Sequence, residues 1–150
     1  MSTPEEGVRR TLAQYCQLCD DGRFDEWAEL FTPDASFVVM GRVHTGREAI
    51  RAFIEAGQPP ERRGKHLCAN PLVEIDEQGR RARAVTDYAF VGRVEGGFAI
   101  TSVGRYHDTL VERDGSWQFH RREIVFLGDR PVGEEGTGPG PAGPQPPAPG

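Results

Sequence analysis

Lysine is almost missing from this chain. Lys65 stands alone, and every other basic side chain is arginine. Acidic residues outnumber basic ones by 23 to 18, for a formal net charge of −5. A nucleic-acid scaffold or a binder of anionic membranes would need a concentrated basic surface, so neither partner is expected. No apolar run approaches the roughly 20 residues that a membrane-spanning helix requires. The opening MSTPEEGVRR holds no apolar signal-peptide core, so a cytoplasmic protein is expected. Cysteine is sparse and odd in number, three in 150 residues, which fits reduced thiols better than a disulfide framework. A nucleotide-binding glycine motif is missing too, since GRVEGGF reads as a hairpin turn and not as a phosphate loop.

What remains is 37% hydrophobic, enough for one ordinary core. Thr3, Pro4 and Glu6 form a helix start with a T-x-x-E capping box. Val8, Leu12, Tyr15, Cys16 and Cys19 follow at helical spacing, and the helix should end near Gly22. Phe24, Trp27, Leu30 and Phe31 predict a short second helix, TPDA a turn, SFVVMGRV a strand, and GREAIRAFIEAG a third helix with Ile50, Phe53 and Ile54 inward. From Gly64 the pattern changes to four strand-like runs, KHLCANPLVEID, RRARAVTDYAFVGRV, FAITSVGRYHDTLVER and SWQFHRREIVFL, separated by DEQG, EGG and RDG turns. Helices followed by hairpin-linked strands mean an α+β fold, with a curved, mostly antiparallel sheet wrapped against the helices as a cone. This domain should cover residues 1–127. Residues 128–150 are Gly/Pro-rich without apolar periodicity and are expected to be a disordered tail.

The conspicuous motif is the CxxC of YCQLCDDG. With His66 and Cys68 it can be written as a Cys3His zinc set. Against that, the pair sits mid-helix on the apolar stripe, near the C-terminal end, where the helix dipole does not lower a thiol pKa. Cys16 and Cys19 are therefore read as small core side chains. Asp20 falls at the edge of the same stripe, where a buried carboxylate needs a partner. Of the four histidines, His44 lies in a turn-like stretch expected at the surface. His107 and His120 alternate with aromatic neighbours and should face away from them, and His66 opens the run of strands. Asp20 and His66 can be read either as a structural pair or as chemistry.

YCQLCDDGRFDEWAELFTPDASF, GREAIRAFI, KHLCANPLVEI and GRYHDTLVERDGSWQFHRRE, taken in order, resemble the SnoaL-like branch of the nuclear-transport-factor-2-like superfamily. More narrowly, they resemble the subgroup of scytalone dehydratase, bile-acid 7α-dehydratase and hexachlorocyclohexane dehydrochlorinase. The likeness spans about residues 5 to 127. It implies a catalytic His–Asp dyad at His66 and Asp20, with Asn70 in the same local context. It also implies pocket positions at Tyr15, Asp87, Tyr106 and Arg122, with Asp108 on Tyr106's face and able to pair with Arg122. Phe37, Val39, Phe90 and Ile100 are candidates for an apolar wall. The implied activity is general acid–base chemistry (dehydration, isomerisation or cyclisation) on a small molecule, with no metal or organic cofactor. The superfamily also suggests a homodimer. Other readings stay open: a non-catalytic binding or assembly domain, or the small subunit of a ring-hydroxylating dioxygenase beside an iron-bearing partner.

Overall fold

The computed structural model describes residues 1–132, so the expected tail lies outside the described residues from position 133 onward. Helix α1 spans Pro4–Asp20. Its start is fixed locally. Thr3 Oγ1 accepts the Glu6 N–H at 3.2 Å, and the Thr3 N–H donates to Glu6 Oε2 at 2.7 Å. The reciprocal pair satisfies donors that a helix start otherwise leaves without partners. The stripe Val8, Leu12, Tyr15, Cys16 and Cys19 is buried. The helix stops where Gly22, at φ +71°, turns the chain and returns its N–H to the Cys19 carbonyl at 3.0 Å. A Cβ at Gly22 would also collide with the Arg63 guanidinium. Glycine thus serves both the left-handed turn and the close approach. That stop leaves Asp20 as the last helical residue, on the buried side.

Helix α2 is short, Phe24–Ala28, and buries Phe24 and Trp27. Leu30 and Phe31 do not prolong it, because Phe31 opens strand β1, Phe31–Val39. The expected turn at TPDA therefore lies inside β1, as an irregular stretch in which Pro33 and Asp34 are exposed and the register against the neighbouring strand shifts. SFVVMGRV is not one strand. Met40 and Gly41 both take positive φ and turn the chain into β2, Arg42–Thr45. Helix α3, Arg47–Gly57, buries Ile50 fully and lays Phe53 and Ile54 against the core. His44, expected at the surface, is half-buried and stacked on Phe53 at 4.0 Å.

A 3-10 turn at Pro60–Arg62 leads to four long strands: β3 Lys65–Ile75, β4 Arg81–Val94, β5 Gly97–Arg113 and β6 Ser116–Phe126. The six strands form one sheet in the order β2-β1-β6-β5-β4-β3. Neighbours are antiparallel except β1 and β6, whose parallel pairing joins the helical half of the chain to the last hairpin. Register shifts occur in β3 between Ala69 and Leu72, between β4 and β5 beside Phe90, and between β5 and β6 beside Thr109. Such bulges bend strands and raise the local twist, so the sheet curls over the helices. The core beneath it is aromatic: Trp27 meets Phe31 at 4.8 Å and Phe31 meets Phe119 at 5.1 Å between ring centroids. Each fully buried ring of this kind stabilises the fold by about 1.5–3 kcal/mol.

Candidate active site

The end of α1 meets the start of β3. Asp20 reaches the same residue twice. Its Oδ2 accepts the His66 backbone N–H at 3.0 Å, and its Oδ1 lies 2.6 Å from His66 Nδ1. A carboxylate can only accept here, so Nδ1 carries the proton and Nε2 of the neutral ring keeps its lone pair. The Asp20 side chain is 3% exposed and that of His66 11%. Phe90, the cross-strand partner of His66, lies 4.7 Å from the imidazole, and Tyr15 approaches it edge-on at 6.2 Å. Nε2 has no hydrogen-bond partner among the described residues, yet it is not one of the sealed, unpartnered atoms.

A second pair lies deeper. Asp108 and Arg122 face each other across β5 and β6, and the guanidinium binds the carboxylate with two bonds of 2.7 and 2.8 Å. Both side chains are fully buried. The guanidinium carbon lies 3.8 Å from the Tyr106 ring centroid, 4.1 Å from Tyr15 and 4.3 Å from Phe119. Such cation–π contacts offset part of the cost of removing the charge from water. Burial opposes that charge, but the Asp108 carboxylate more than compensates, so Arg122 is held above its ordinary range. Its Nη1 is buried without a partner among the described residues. Burial also pushes the Tyr15 and Tyr106 phenols well above their ordinary range, although Arg122 pulls the other way. Both stay protonated and able to donate. Tyr106 stacks on Tyr88 at 4.5 Å, and the Tyr88 hydroxyl meets Ser102 Oγ at 2.9 Å.

Five of the expected positions thus converge: Asp20, His66, Tyr15, Tyr106 and Arg122. Two do not. Asp87 shares a face with Val85, Ala89 and Val91, but that face is the outer one, and Asp87 pairs there with Arg105 at 2.6 Å. The inner face of β4 carries Ala82, Ala84, Thr86, Tyr88 and Phe90. This corrects the face expected for Asp87. Antiparallel partners point to the same side of a sheet, so pairing His66 with Phe90 was the signal that assigns it. Asn70 is exposed, at φ +53°, and forms the bulge of β3. It belongs to the backbone turn and does not line the interior, which corrects its expected place. The bulge shifts the inward set from His66 and Cys68 to Pro71, Val73 and Ile75. Phe37, Val39 and Phe90 are buried, whereas Ile100 is 62% exposed on the outer face.

Among the described residues, no three His, Cys, Asp or Glu side chains are arranged to hold a metal. Cys16 meets Cys68, while His66 turns Nδ1 to Asp20. A surface groove of about 500 Å³ lies on the sheet's other side along Asp87, Val103, Arg105 and Leu127 and does not border Asp20 or His66. Side chains fill the space around Arg122. A ligand that reaches both Arg122 and His66 must displace part of that aromatic packing.

The sequence profile of the SnoaL-like domain matches residues 2–123. No curated protein matches the chain. Among solved structures, a protein of unknown function from Mycobacterium tuberculosis is similar, with 28% identity and a TM-score of 0.74 over 80% of this chain and 69% of that one. A scytalone dehydratase-like protein from Novosphingobium aromaticivorans shows 27% identity and a TM-score of 0.73 over 82% and 83% of the two chains. Aln2 from a Streptomyces species shows 25% identity and a TM-score of 0.73 over 83% of this chain and 92% of that one. The shared architecture is the α+β cone of the nuclear-transport-factor-2-like superfamily.

Proposed function

We propose, on the premise that the chain belongs to the SnoaL-like domain family, that it is a cofactor-independent general acid–base enzyme of the dehydratase or lyase type. Its substrate is a small, largely apolar molecule with a hydroxyl or carbonyl group. His66 is the base and Asp20 its orienting partner. The observation that carries this reading is the double grip of Asp20 on His66, which fixes the ring through backbone and side chain together and leaves Nε2 as the open nitrogen.

Nε2 takes a proton from a carbon next to a carbonyl, and Asp20 stabilises the imidazolium that forms. Negative charge gathers on the carbonyl oxygen, where the Tyr15 or Tyr106 phenol, or the free Nη1 of Arg122, can donate to it. If a hydroxyl sits on the next carbon, it leaves as the double bond forms and receives the proton from His66 as water. Return of the proton to a different carbon gives isomerisation instead, and internal attack gives a cyclase. All three outcomes use the same base and the same oxygen site.

The test is proton exchange. With β-hydroxy ketones in D2O, the protein should exchange the α-hydrogen or release water. His66→Ala should remove this, and Asp20→Asn should weaken it strongly. Ligand binding with no exchange by the unaltered protein, and no effect of His66→Ala, would sink the catalytic reading in favour of a non-catalytic binding domain.

The same reading includes a homodimer. Leu67, Ala89 and Val103 lie in one cross-strand row on the outer face, with Ile100 and Phe98 beyond. Leu67, Val103, Ile100 and Phe98 are 54%, 41%, 62% and 70% exposed, an apolar strip suited to a second copy. Sedimentation at the monomer mass would remove that part. Its three free thiols fit a cytoplasmic setting. Among the described residues no helix is long and apolar enough to cross a membrane.

A further inference from the structure

The CxxC motif draws attention to the wrong partner. Cys16 Sγ lies 3.1 Å from Cys68 Sγ, across 52 residues of chain. A bonded pair sits at about 2.05 Å, so roughly 1 Å of approach separates the two thiols from a disulfide. Cys16 is on the inner stripe of α1, and Cys68 is on the inward face of β3. Cys16 lies one helical turn before Asp20, and Cys68 lies two strand residues after His66. The sulfur contact and the Asp20–His66 contact therefore join the same two elements side by side.

We propose that Cys16 and Cys68 form a reversible thiol–disulfide pair that responds to peroxide and ties α1 to β3. The hydrogen bond shared with Cys16 lowers the Cys68 thiol below its ordinary range, and the same contact, with burial, raises Cys16. Cys68 is also the more exposed of the two, half-buried against a buried Cys16. The thiolate of Cys68 is therefore the nucleophile. It attacks one peroxide oxygen, the O–O bond breaks, and hydroxide leaves, giving a sulfenic acid. The Cys16 sulfur then attacks Cys68 Sγ. The S–O bond breaks, and the departing hydroxide takes the Cys16 proton as water. Two thiols are oxidised by two electrons, and one peroxide is reduced to two waters. Cys19 stays out: burial pushes it up to about 12, and its sulfur makes no hydrogen bond to either of the other two. The pair stands whether or not His66 acts as a base.

The test is mass spectrometry of the full-length protein treated with hydrogen peroxide, then alkylated after unfolding. The expected result is a monomer that loses two of three alkylatable thiols, yields a cross-linked peptide joining Cys16 to Cys68, and regains all three thiols with dithiothreitol. Cys19→Ser should still lose two thiols, and Cys68→Ser should keep both of its own. Three free thiols after treatment, sulfinic acid at Cys68 without a cross-link, or loss of two thiols in Cys68→Ser would each overturn the proposal.

Discussion

The Asp108–Arg122 pair is sealed on every side, whereas the Asp20–His66 pair is sealed on one side and open on the other. Both join a carboxylate to a basic group on a neighbouring element, and Tyr15 touches both. Arg122 spends two donors on Asp108 and presents its faces to three aromatic rings, all without solvent. His66 spends one nitrogen on Asp20 and keeps the other. A desolvated, doubly bonded pair is a fixed charge with fixed geometry. A half-open histidine can exchange protons. The comparison separates the group that holds position and potential from the group that can do chemistry.

Removing one half of the sealed pair should have the largest effect. Asp108→Ala leaves a buried guanidinium without its counter-charge and should cost about 3–5 kcal/mol of folding stability, read from urea unfolding. A cost below about 1 kcal/mol would mean that water reaches Arg122. Asp20→Asn should invert the pattern. The protein should stay folded while proton exchange falls on the order of 10²-fold or more, a barrier change of roughly 2.7 kcal/mol or more, because an amide can hold the wrong tautomer. Equal losses of stability and activity would erase the distinction between the pairs. Asn70→Ala should cost about 1 kcal/mol, since alanine tolerates the left-handed backbone poorly, with exchange activity of the folded protein unchanged. Asp87→Ala breaks only an exposed bridge to Arg105 and should leave the urea unfolding midpoint unchanged within error.

The sequence makes the helical half of the site legible because its causes are local. The capping box, the apolar stripe and Gly22 all belong to the one continuous segment from Thr3 to Gly22, and together they place Asp20 at a buried helix end. Tyr106 and Asp108 share a face by strand alternation, whereas the resemblance alone pointed to Arg122: only the bulge opposite Thr109 and Leu110 brings it onto the face of Trp117 and Phe119. Asn70 and Asp87 fail for a shared reason. Which face of a strand turns inward depends on its partner and on bulges, and a one-residue shift moves every later side chain to the other side. The signal for Asp87 was nevertheless there: Arg81, Arg83, Asp87 and Arg93 share one parity of β4, opposite Tyr88 and Phe90. The β1–β2 hairpin was hidden because Met40 takes a left-handed φ that its side chain does not advertise. The Cys16–Cys68 contact joins residues 52 apart, and in the sequence Cys68 stood beside Cys16 only as one member of a zinc set, because nothing local distinguishes a thiol pair from a metal site.

The tautomer of His66 tests the central claim most directly. In protein with ¹⁵N-labelled histidine, two-bond proton–nitrogen correlations distinguish the two ring nitrogens. The account predicts that the neutral imidazole of His66 carries its proton on Nδ1, with Nε2 bare, and that Asp20→Asn disturbs this arrangement. A neutral His66 protonated on Nε2 in the unaltered protein would contradict it, because Asp20 would then not be holding the ring and no base would face the substrate.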